Sequence, residues 1–153
     1  MLSDPHSPIM GGGGFAMDER WNFLNQSDED IGQALARCTE DEPDLGAWLR
    51  GRIDASNERR AAAVRRSELD PTFAYQIISG QRRGSRDKLL QLARGMRLGL
   101  DETNELLERG GVSALRPYAR RDIVIAFCIV RNMDVARLDA MLLSAGMRPL
   151  RSK

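Results

Sequence analysis

An Asp-Pro pair at 70 and 71, followed by a glycine at 80, limits how this chain can fold more than any other feature. The Asp70 carboxylate can accept from the free amides of a helix's first turn. Pro71 costs nothing at the first helical position, where its missing N–H has no partner to lose. Gly80 readily takes the left-handed conformation that stops a helix. The spacing predicts a short helix over 71–79, with Ala74, Ile77 and Ile78 on one face and Thr72, Tyr75, Gln76 and Ser79 on another. Such a helix is apolar toward its neighbours, and its outer face is built for hydrogen bonding.

Helical patterning extends along the chain without the regular alternation of a half-buried strand, and aromatics make up only 5% of residues, so the expected class is all-α. Residues 1–27 form an acidic, flexible N-terminal tail with a Gly11–Gly14 run, followed at 28–43 by a short helix from Asp28 through Ile31, Ala34, Leu35 and Cys38 and a linker at Pro43. A helix over 45–55 presents Leu45, Trp48, Leu49 and Ile53, with Trp48 as a core anchor. Asn57 is expected to cap the next helix, which stops near Ser67. Ser85 and Asp101 are expected to cap two more, the second ending at Gly110 and Gly111. The last two, about 117–131 and 134–145, repeat the preceding pair at an offset of 35. Arg86, Asp87, Leu107, Gly111, Leu115 and Arg116 match Arg121, Asp122, Leu142, Gly146, Leu150 and Arg151, which implies a repeated helical hairpin. The apolar run Ile123–Val130 could alternatively be a buried strand, but the repeat favours a helix buried in the domain or against a second subunit.

Charge is segregated along the chain. Residues 1–47 hold two arginines against ten acids, a net −8, whereas residues 59–97 hold ten basic residues against three acids, a net +7. A basic block of this kind can be a solvated helix face. Its richness in arginine, whose planar fork suits phosphate, points instead to a polyanion. The acidic N-terminal segment is a candidate shield for that basic face.

Catalytic chemistry finds no constellation. His6, the single histidine, sits among Pro, Ser and Gly, and Cys38 and Cys128 form no CxxC pair or metal-ligand spacing. The four-glycine run lacks the Lys-Ser/Thr of a phosphate loop, and the acids at 40–44 lack calcium-loop spacing. We expect no enzyme, no cofactor and no metal. With no signal-peptide pattern and no apolar run longer than eight residues, a cytoplasmic protein without membrane contact is expected.

The stretch RRSELDPTFAYQIISGQRRGSRDKLLQLARGM, residues 65–96, resembles the Xre-type family of lambda-repressor-like transcription regulators, and the resemblance covers about residues 44–112. It is carried by a polar-faced short helix, the terminal Gly80, the basic pair Arg82 and Arg83, and a capped leucine-rich helix, in the family's order. This sequence departs from the family in lacking a Gln near the start of the second helix and in placing Pro71 at a groove-facing position. The resemblance implies a helix-turn-helix DNA-binding domain over 44–112, with the additional hairpin at 113–153 serving dimerisation or partner binding. The helix over 71–79 would then lie in the major groove of double-stranded DNA. Thr72, Tyr75, Gln76 and Ser79 would reach bases, and Arg82, Arg83, Arg59, Arg60 and Arg86 would reach the phosphate backbone. A homodimer is expected because one such domain reads only a few base pairs. The rival reading is a protein-interaction adaptor that uses the C-terminal repeat and keeps the helix-turn-helix as scaffold.

Overall fold

The computed structural model describes residues 31–32 and 44–151. The chain divides into two units, 1–42 and 43–153. In the first, Ile31 and Gly32 are helical; the rest of the expected tail and N-terminal helix lies outside the described residues. Among the described residues, the second unit contains seven α-helices and no strand: α1 Leu45–Ala55, α2 Arg60–Ser67, α3 Pro71–Ser79, α4 Arg86–Gly95, α5 Leu100–Arg109, α6 Arg120–Val130 and α7 Val135–Ser144.

Local chemistry sets most of these ends. Asp44, Asp70, Ser85 and Asp134 each accept from the backbone N–H three residues on, which removes one unpaired donor from the first turn. Two expected caps are corrected. Asn57 sits in left-handed backbone (φ 60°) just past the end of α1, and α2 begins only after Arg59, which has no capping side-chain oxygen. Asn tolerates that conformation better than most residues, so it serves the turn and not the cap. At α5 the capping position is Gly99, whose N–H donates to Glu102 Oε1 at 3.2 Å, and Asp101 lies within the first turn.

One continuous core runs from Leu45 to Leu150 and includes Leu49, Ile77, Leu89, Leu92, Leu106, Ile125 and Leu138. The C-terminal hairpin therefore shares its core with the helices before it. Two glycines permit close helix crossings. A Cβ on Gly95 would stand 2.3 Å from the Ala63 carbonyl oxygen, where α4 crosses α2, and one on Gly46 would stand 2.9 Å from the Gly80 backbone, where α1 meets α3. Arg50 reinforces the second crossing by donating to the Ile78 carbonyl at 2.8 Å. α3 is thus held from behind, with its polar side left open.

The 35-residue repeat is present in three dimensions. Arg86 bonds both oxygens of Asp122 (3.0 and 2.9 Å) and the carbonyls of Ser113 and Ala114; Arg121 bonds both oxygens of Asp87 (3.0 and 3.0 Å) and the carbonyls of Arg148 and Pro149. Every partner is displaced by the repeat length, and the two Arg-Asp pairs are exchanged between hairpins. Exchange of this kind is the signature of a two-fold interface, realised here within one chain. The match extends to the hairpin ends. Asn104 and Asp139 accept from the N–H of Leu115 and Leu150, and Arg97 and Asn132 share left-handed backbone.

The run Ile123–Val130 is helical, not a strand, and is divided between two environments. Ile125, Cys128 and Ile129 are buried, whereas Ile123, Phe127 and Val130 are exposed at helical spacing on the outer side of α6. Among the described residues, no helix is long and apolar enough to cross a membrane.

Candidate nucleic-acid interface

The outward side of α3 carries the residues singled out in the sequence. Thr72 and Ser79 are exposed, Tyr75 is 42% exposed, and Gln76 is half-buried beside them. Ala74, Ile77 and Ile78, on the opposite side, are buried in the core. Phe73 N–H donates to Asp70 Oδ2 at 3.1 Å, and Gly80 (φ 90°) turns the chain so that the N–H groups of Gln81 and Arg82 both return to the Gln76 carbonyl, at 2.8 and 3.1 Å. These ends hold the helix at nine residues and direct the following basic loop back alongside it. The Ser79 hydroxyl donates to the Gln76 carbonyl at 3.1 Å, which leaves its oxygen free to accept.

Arg82 and Arg83 are exposed on that loop and have no carboxylate partner among the described residues. Arg82 stands 5.7 Å from the Phe73 ring centroid and Lys88, from the first turn of α4, stands 5.6 Å from it. The ring, from the first turn of α3, thereby gathers two cations. Lys88 belongs to the basic block of the sequence but not to the expected backbone contacts; its position three residues after the Ser85 cap, next to the basic loop, is the signal that would have added it.

The remaining arginines divide. Arg59 is exposed at the start of α2, without an ion-pair partner among the described residues. Arg60 is paired with Asp54 at 3.0 and 3.3 Å, and the hydrogen bond to that carboxylate, with a smaller contribution from Tyr75, raises its pKa. Arg86 is different: Asp122 and two carbonyls occupy its guanidinium, so it joins the hairpins and is set apart from the phosphate candidates. That role was invisible locally because Asp122 lies 36 residues away.

Among the described residues, no group of three or more His, Cys, Asp or Glu side chains is arranged to hold a metal ion. No family model, curated protein or solved structure matches the chain.

Proposed function

We propose that this protein is a sequence-specific double-stranded DNA-binding transcription regulator of the lambda-repressor-like helix-turn-helix type, acting as a repressor. In this reading α2 and α3 form the helix-turn-helix and α3 enters the major groove. The observation that carries the reading is the pairing of the exposed polar face of α3 with Arg82 and Arg83 on the loop that follows it, which have no carboxylate partner among the described residues. Thr72, Tyr75, Gln76 and Ser79 supply donors and acceptors for base edges, with Gln76 suited to adenine and Thr72 to a thymine methyl. The arginines, with Lys88, fix the register on phosphates. Arg60 contributes only by leaving Asp54.

The test is selection from a random duplex pool. An enriched sequence should emerge. Thr72→Ala with Gln76→Ala should relax its specificity, and Arg82→Ala with Arg83→Ala should weaken binding to all sequences and flatten the salt dependence by about 2 units of log–log slope. No enrichment, with neither variant changing affinity at low salt, would refute the proposal.

The exposed stripe Ile123, Phe127 and Val130 supports a homodimer that doubles the contacts on a palindromic site. Light scattering should show a dimer on DNA, and Phe127→Asp should abolish it. The same stripe favours the second reading, a protein adaptor working through residues 113–153. That reading gains if the stripe captures a partner while DNA binding is absent.

A further inference from the structure

The ends of α2 and α4 and the turn between α6 and α7 enclose a cleft of about 450 Å³ whose lining, among the described residues, holds five arginines against two acids. Arg65, Arg66, Arg94, Arg97 and Arg137 line it. Arg66 is paired with Glu58 at 2.6 Å, but Arg65, Arg97 and Arg137 have no carboxylate within ion-pair distance among the described residues. The two acids at the cleft are already engaged. Glu68 pairs with Arg151 at 2.9 Å, and Asp134 accepts from the Arg137 N–H at 2.8 Å as the cap of α7.

Arg94 is the unusual member. Only 4% exposed, it donates to the Met133 carbonyl at 2.9 Å, to Asn132 Oδ1 at 3.4 Å and to the Leu98 carbonyl, and its Nε has no partner among the described residues. Burial lowers its pKa, yet a guanidinium starts so far above neutrality that it remains charged. The nearby Cys128 thiol offers no counter-charge, because burial pushes its pKa up and keeps it protonated. A buried cation satisfied only by neutral oxygens, beneath three unpaired arginines, is an expensive arrangement unless an anion completes it.

We propose that this cleft binds a small ligand ending in a phosphate or pyrophosphate group, with Arg97 and Arg137 gripping it at the mouth and Arg94 supplying charge from below. Guanidinium forks match phosphate oxygens in bidentate fashion, and several converging cations favour a multiply charged group. The recess distinguishes the site from a DNA track, since a duplex lying across the surface does not reach a side chain buried as Arg94 is. The lining comes from both halves of the unit, so an occupied cleft ties the C-terminal hairpin to α2 and α4. This inference does not depend on the DNA reading.

Calorimetric titration of the full chain with inorganic pyrophosphate, at ionic strength matched with sodium chloride, tests it. Wild type should show saturable binding. Arg97→Ala with Arg137→Ala removes two exposed, unpaired side chains and should leave the thermal midpoint unchanged while weakening pyrophosphate about tenfold or more, the effect of losing charge-assisted hydrogen bonds. Arg94→Met should abolish binding, and the surface pair keeps the test valid if that variant fails to fold. Thr72→Ala with Gln76→Ala should bind pyrophosphate as wild type does. Absence of saturable binding, or an unchanged affinity in the Arg97/Arg137 variant, would overturn the proposal. So would a loss of non-specific DNA affinity in that variant as large as in Arg82→Ala with Arg83→Ala, since the cleft would then be part of the DNA track. Pyrophosphate binding without any DNA binding would keep this site and refute the proposed function.

Discussion

Replacing Asp122 by alanine should cost about 3 kcal/mol of folding stability, the range for breaking a buried ion pair from one side. The structure places this residue near the lower end of that range. The Asp122 side chain is 5% exposed and Arg86 is 21% exposed, so the pair is poorly hydrated. Truncation removes two hydrogen bonds at 3.0 and 2.9 Å and a third, from the Arg116 N–H at 2.9 Å. Arg86 keeps the carbonyls of Ser113 and Ala114, which softens the loss. The repeat supplies an internal control. Asp87 makes the equivalent bidentate bond to Arg121, but its carboxylate is 19% exposed against 5% for Asp122, and its third partner is the exposed Arg148 side chain, which water can solvate, in place of a backbone N–H, so Asp87→Ala should cost about 1–2 kcal/mol. Urea unfolding followed by helical circular dichroism measures both, provided the slope m is unchanged. Equal costs for the two variants, or an Asp122→Ala cost below about 1 kcal/mol, would refute the claim that burial distinguishes the exchanged pairs.

Three further outcomes follow from the same geometry. Burial pushes the Asp122 carboxyl up, but the hydrogen bonds and charges of Arg86 and Arg116 outweigh it and hold the carboxyl below its ordinary value. Its contribution is therefore complete above the unfolded value near 4 and is lost as pH falls through the lower folded value; acid titration of Asp122→Asn should lack that component. Gly95→Ala forces a methyl against the Ala63 carbonyl and Ser67 and should destabilise by about 1–3 kcal/mol in thermal melts, despite the better helix propensity of alanine. Cys128, buried with its thiol pKa raised, should react with a thiol reagent only as fast as the domain opens; immediate modification in a Cys38→Ser background would contradict the packing.

The sequence by itself determined the features written in local chemistry. Asp70, Pro71 and Gly80 set α3 residue for residue, and Ser85 and Asp134 set the starts of α4 and α7, because capping involves groups only three residues apart. The repeat was legible too, since side chains that do the same job in two hairpins recur at a fixed offset. The polar face of α3 and the basic pair after Gly80 were visible as patterns of the same short range.

Tertiary structure decided what depends on distant partners. Whether Asn57 caps a helix or turns the chain depends on how α1 and α2 approach each other, and its left-handed backbone settles it. Arg86 and Arg82 look alike in the sequence, yet one is bound by Asp122 and two carbonyls while the other stands exposed. The run Ile123–Val130 has no polar residue to mark its outer side, so only packing against the core separated buried Ile125 and Ile129 from exposed Phe127 and Val130. The arginine cleft is the extreme case: Arg65, Arg94 and Arg137 are far apart along the chain, and their shared charge exists only because the fold brings three helix ends together.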